Sequence, residues 1–165
     1  MATNYFGESF YEESLLVRCD CKDHLAEFFM YDSIIQYEYG IEWQSCYNYK
    51  KCKGWPTFYF KSFGQFKTFV NYLKEIKSNR EFSIESTLRN FENEFSSDGE
   101  LVVSCQDGYV DFARYMDKKA KKKNKCIWSF YIRESNLPYL IECLEDLVSK
   151  AQELENKRME RKSHV

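Results

Sequence analysis

Glycine and proline are scarce in this chain, 6 and 2 residues among 165. So little turn and breaker chemistry excludes a disordered or low-complexity chain and a loop-dominated scaffold. There are only two histidines, His24 and His164. His164 is the penultimate residue of a charged tail, which leaves His24 as the one candidate base for a nucleophile, base and orienter arrangement. A glycine-rich phosphate loop, a dinucleotide fingerprint, a nucleophile elbow and a metalloprotease helix are all missing. No stretch of 18 apolar residues and no apolar leader occurs, so neither a membrane span nor a secretion signal is predicted. The net charge of −2 excludes a uniformly basic nucleic-acid binder. The seven cysteines are an odd number; without a leader, they point to a cytoplasmic, reducing setting with unpaired thiols, several of them serving as small core residues.

What is present is apolar and aromatic. Hydrophobic residues make up 44% of the chain and aromatics 18%, with 14 Phe and 13 Tyr, enough to bury one substantial core. The same unit occurs twice. Leu15-Leu16-Val17-Arg18-Cys19 is echoed by Leu101-Val102-Val103-Ser104-Cys105, and Phe28-Phe29-Met30-Tyr31-Asp32 by Ala113-Arg114-Tyr115-Met116-Asp117. Phe58-Tyr59-Phe60-Lys61 is echoed by Phe130-Tyr131-Ile132-Arg133, and an amphipathic pattern follows each. Phe66, Phe69, Val70, Leu73 and Ile76 recur as Leu137, Leu140, Ile141, Leu144 and Leu147 at a constant offset of 71 residues.

The predicted fold is therefore α+β: two strand-rich repeats, each closed by an amphipathic helix, forming a pseudo-two-fold single domain with a C-terminal helical tail. Residues 1–77 make the first repeat, with 1–13 as a lead-in, strands over 14–21, 24–32, 34–43 and 55–61, and a helix capped by Ser62. Residues 78–100 form a connector with a short helix over 85–95. Residues 101–165 make the second repeat, its helix capped by Ser135 or Asn136. Beyond Ala151 the pattern fades into charge, which predicts a fraying extension with room for a partner contact.

Two constellations could carry chemistry. Cys19, Cys21 and His24, with Cys46 and Cys52, offer zinc-ligand types. Structural zinc knuckles separate their ligands by about two to four residues, whereas Cys19 and Cys21 alternate along a strand; no metal or cofactor is predicted. The second constellation is aromatic and cationic. Tyr47, Tyr49 and Trp55 interleave with Lys50, Lys51 and Lys53, while Lys118 to Lys125 holds six lysines in eight residues, among them Lys121, Lys122, Lys123 and Lys125, just before Trp128. Bases stack on aromatic faces while lysines track phosphates, so this combination suits a single strand. The plainer reading makes Trp55 and Trp128 core anchors and the lysines solvated hairpin tips.

The stretch from Val103 through Cys105, Gly108, Phe112 and Arg114 to Met116, the lysine run, Ile127 to Arg133 and the helix beyond resembles the positive-cofactor and Whirly group of single-stranded-DNA-binding proteins. That resemblance implies paired four-stranded sheets, each followed by a helix. It puts Arg114, Tyr115, Lys122, Lys123 and Trp128 on or near a strand-binding face, with the two repeats mimicking the family's dimer. The first unit, with Cys19-Asp20-Cys21 and His24-Leu25 before an aromatic strand, resembles small uncharacterised proteins of tailed bacteriophages.

The function expected is that of a non-enzymatic, phage-type accessory protein that binds single-stranded DNA or RNA. The alternative is a viral interaction module that inhibits a host defence protein or ribonucleoprotein complex, such as a nuclease effector, in the manner of an anti-CRISPR protein. No membrane partner is expected, and homodimerisation is left open.

Overall fold

A computed structural model describes residues 5–11, 14–21, 24–33, 36–45, 57–86 and 99–163. They form two antiparallel meanders, each followed by a helix. The first sheet has the order β1 (Tyr5–Tyr11), β2 (Ser14–Cys21), β3 (His24–Tyr31), β4 (Glu38–Ser45) and β5 (Thr57–Phe60), and leads into α1 (Phe63–Glu75). The second has β6 (Arg80–Ser86), β7 (Gly99–Gln106), β8 (Tyr109–Tyr115) and β9 (Trp128–Arg133), with a short helix α2 (Lys118–Lys122) between β8 and β9. A 3-10 turn at Glu134–Asn136 then opens α3 (Leu137–Ser163). The architecture is α+β, two sheet-and-helix repeats with a helical C-terminal extension.

Alternation explains the strands. Leu15, Val17 and Cys19 are buried on one face of β2, while Leu16 and Arg18 take the other. The same parity in β7 buries Leu101, Val103 and Cys105. Between β7 and β8, Asp107 and Gly108 both have positive φ, 55° and 81°, the backbone that a two-residue hairpin turn requires. Ser62 caps α1, its Oγ accepting from the Gln65 N–H at 3.1 Å. Phe66, Phe69, Val70 and Leu73 are the buried stripe of α1, and Leu137, Leu140, Leu144 and Leu147 are that of α3.

These stripes close on a core common to both repeats. The Phe28 ring of β3 lies 6.1 Å from Phe69 of α1, 6.0 Å from Phe112 of β8 and 6.2 Å from Phe130 of β9. Phe112 and Phe130 stack at 4.7 Å across their own sheet. Helices α1 and α3 are also joined at their surface by Lys74 and Glu145, 3.1 Å apart.

Several boundaries differ from expectation. The lead-in contains a strand, β1, at the edge of the first sheet. The front of the expected connector is β6, paired along its length with β7, so Glu85 and Ser86 are extended and not helical; residues 87–98 lie outside the described residues. The strand expected over 34–43 is β4, from Glu38 to Ser45. In sheet position β9 matches β4, because each neighbours the third strand of its meander, and β5 is an addition to the first sheet. The echo of Phe58-Tyr59 in Phe130-Tyr131 therefore marks the strand before each helix, not equivalent places in the two sheets.

The tail differs most. Helix α3 continues to Ser163 and is strapped to the first repeat. Tyr39 Oη donates to Glu155 Oε1 at 2.8 Å. Arg158 pairs with Asp32 at 3.2 Å, donates to the Ser33 carbonyl and lies over the Tyr37 ring, 4.4 Å from its centroid. Burial, then the Glu155 carboxylate, pushes the Tyr39 hydroxyl well above its ordinary range. A segment held by a buried phenol and a stacked guanidinium does not behave as a frayed end.

Candidate nucleic-acid interface

The second sheet has an inner and an outer face, set by parity. In β8 and β9, Val110, Phe112 and Arg114 stand with Ile132, Phe130 and Trp128 toward the core, since these are the cross-strand partners. Tyr109, Asp111, Ala113 and Tyr115 alternate with them and face outward, as do Ser129 and Tyr131.

Helix α2 lies on this outer face. The Asp117 carboxylate caps it, accepting from the Ala120 N–H at 2.8 Å, and Ala120 packs on Val102, Ala113 and Tyr115. Ion pairs hold its flanks: Lys118 reaches Glu85 at 2.8 Å, and Lys121 lies 3.4 Å from Glu100 and 3.8 Å from Glu81. Hydrogen bonding to Lys118 holds the Glu85 carboxyl below its ordinary range, and the same contact raises the Lys118 ammonium. Glu100 is 4% exposed, so Lys121, itself partly exposed, offsets a buried carboxylate as well as the exposed Glu81. Lys119, Lys122, Lys123 and Lys125 are exposed and take no part in the ion pairs found among the described residues.

The uncovered half of the face is aromatic. Tyr109 and Tyr131 are 44% and 43% exposed, and their rings meet edge to face at 5.3 Å. Arg133 is the cross-strand partner of Tyr109. An open groove of about 530 Å³ lies beside Tyr109 at the β7–β8 turn, lined by Asp107, Gly108, Tyr109, Arg133, Glu134 and Ser135. Burial raises the Asp111 carboxyl above its ordinary range.

The expected site residues divide sharply. Lys122, Lys123 and Lys125 are exposed on or beside α2, a capped helix and not a hairpin tip. Arg114 and Trp128, each 3% exposed, are core-facing, and Tyr115 is covered by α2. None of these three offers a face to a base; Trp128 is the core anchor of the plainer reading. Burial pushes the Arg114 guanidinium down to about 10, with Tyr59 acting in the opposite direction. Tyr47, Tyr49, Lys50, Lys51, Lys53 and Trp55 lie outside the described residues, as do Cys46 and Cys52. Cys21 and His24 are cross-strand partners in the backbone ladder, while Cys19 is buried in the core. Cys19, Cys105, Cys126 and Cys143 are in no disulfide, and no metal-binding group of side chains occurs among the described residues. Burial, then hydrogen bonding to Glu134, pushes the Cys105 thiol up, the opposite of what activates a nucleophile.

Tyr109, Tyr131, Arg133 and Lys119 were not expected at the site. Their signal was parity: Tyr109 and Tyr131 occupy the positions that alternate with Phe112 and Phe130. No protein-family model matches this chain, and no curated protein or solved structure matches it significantly.

Proposed function

We propose that the protein is a non-enzymatic binder of single-stranded nucleic acid, using the outer face of its second sheet. Support comes from one observation: the exposed Tyr109 and Tyr131 pair shares this face with the exposed lysines of the α2 segment. Two tyrosines give splayed bases a stacking platform, and Lys119, Lys122, Lys123, Lys125 and Arg133 supply cations for the phosphates that follow. Double-stranded helices keep their bases inside, so an aromatic platform favours single strands. Residues 47–55 contribute further lysines and aromatics of the same chemistry to this reading.

The test is a titration of the full chain against labelled single-stranded DNA and RNA over a salt series. Affinity falls as salt rises, with a slope of roughly 0.7 per neutralised phosphate on a logarithmic plot. Replacing Lys119, Lys122, Lys123 and Lys125 with Gln flattens the slope in proportion to the phosphates that these lysines neutralise. No binding at low salt, or a slope indifferent to the four substitutions, overturns the proposal.

A further inference from the structure

The outer face of the second sheet also holds an acidic group, and the strand ladder sets its place there. Asp111 of β8 lies directly across from Tyr131 of β9 and from Ser104 of β7. Tyr109 precedes it by two residues in the strand and so shares its face. Cations stand at the two ends of this row and not at its middle. Arg133 is the partner of Tyr109 at one end. At the other, α2 packs through Ala120 on Ala113 and Tyr115, with Lys119, Lys122 and Lys123 exposed. Between them Asp111 is half-buried and makes no hydrogen bond or ion pair among the described residues.

We infer that Asp111 selects the base: the tyrosine platform takes guanine in preference to the other bases, its N1–H and N2–H donating to the Asp111 carboxylate. The inference rests on the single-strand reading above and deepens it. In a single strand the Watson–Crick edge of a base is open to protein groups. A carboxylate offers two acceptor oxygens and no donor. Guanine alone among the common bases carries two donors side by side on that edge, so both oxygens are used. Adenine and cytosine present an amino group next to a ring-nitrogen acceptor, and thymine or uracil an N–H between two carbonyls. Each of these sets a lone pair against the carboxylate. Directly opposed residues of an antiparallel pair stand about 5 Å apart at Cβ, so a base seated against the Tyr131 ring brings its edge within reach of Asp111. Burial, which raises the Asp111 carboxyl above its ordinary range, disfavours the charge in the free protein. Donors from a base offset that cost through charge-assisted hydrogen bonds, the stronger kind. The same negative charge turns phosphates toward the cations at the ends of the row, which leaves the base and not the backbone over its middle.

The experiment titrates the full chain, at neutral pH and low salt, with labelled oligothymidylate and oligouridylate. The same oligomers carrying a single central guanine, adenine, cytosine or hypoxanthine are titrated beside them. The guanine oligomers bind about tenfold tighter than the parent oligomers, the worth of a good bidentate pair. Hypoxanthine keeps the N1–H of guanine and lacks its amino group, so it loses most of that gain. Asp111→Asn puts an amide donor where the second acceptor stood and abolishes the preference for guanine, while a urea midpoint no lower than the parent's shows that the variant is folded. Equal affinity for all the oligomers, a gain kept in full by hypoxanthine, or a gain that survives Asp111→Asn overturns the inference and leaves single-strand binding standing. Binding of none of the oligomers overturns the reading on which it rests, and the inference with it.

Discussion

Phe29 lies over Gly40, its cross-strand partner, and uses the space where a side chain would stand. A Cβ added at Gly40 would clash with the Phe58 carbonyl and lie 2.6 Å from the Phe29 ring. One of the clashing atoms is backbone, so rotation of the ring alone does not relieve it. Gly40→Ala is expected to destabilise the protein by about 1–3 kcal/mol, the usual cost of overpacking, read as a lower urea midpoint.

Phe28 links β3 to α1, β8 and β9 in one core. Phe28→Ala is expected to cost about 3–5 kcal/mol, and both repeats should unfold together. Calorimetry checks this: a single transition at lower temperature fits the shared core, whereas two separated transitions contradict it.

Asp111 gives stability a definite pH dependence. Its folded-state pKa is raised by burial, so the native chain holds this proton more tightly than the unfolded chain does. Stability is therefore lost as pH rises from the unfolded value, about 3.9, through the raised one. Asp111→Asn removes the charge that burial disfavours. Urea midpoints of the variant should exceed those of the parent at neutral pH, with the difference closing below about pH 4.

Two aromatic residues on β9 should behave in opposite ways. Tyr131→Ala is expected to leave stability nearly unchanged and weaken single-strand binding by about 1–3 kcal/mol, the worth of a stacked base. Trp128→Ala should cost about 3–5 kcal/mol of folding stability, as core truncations of this size do. Parallel unfolding and binding titrations of the two variants distinguish a surface aromatic from a buried one.

Arg158→Ala should loosen the C-terminal half of α3. Hydrogen exchange reads this as faster exchange beyond residue 151 with protection kept near Leu140 and Leu144. An α3 exchanging uniformly in the variant would contradict the strap.

Much of this fold was legible in the residues. The stripe repeated at 71 residues identified both helices, alternation identified β2, the Lys22-Asp23 turn marked β3 as its partner, and the echo of Leu15 to Cys19 in Leu101 to Cys105 marked β7. β1 and β6 were harder because edge strands carry many polar residues: in Arg80-Glu81-Phe82-Ser83-Ile84 the alternation of Phe82 and Ile84 is obscured by charge. The lysine run hid a helix because its two local determinants, the Asp117 cap and the Ala120 anchor, are single residues. Of the expected site residues, Lys122, Lys123 and Lys125 are exposed and Tyr115 and Trp128 are buried, while Tyr47, Tyr49 and Trp55 lie outside the described residues. Proximity to lysine favoured Trp128, yet Trp128, Phe130 and Ile132 share a parity that turns all three inward, and Tyr131 between them turns out. The docking of α3 on Tyr37 and Tyr39 had no local signal, since it depends on residues far apart in the chain.

That separation has a consequence for how the protein is made. Tyr39 bonds Glu155 across 116 residues, and Asp32 meets Arg158 across 126. On the ribosome, β3 and β4 emerge long before the helix that covers their corner. Until α3 has been made, the first sheet must wait with this corner open to water or to chaperones, and closure comes only when the turns around Glu155 and Arg158 leave the exit tunnel. A stop near residue 150 would thus leave Tyr37 and Tyr39 without the Glu155 and Arg158 contacts that hold α3 on them.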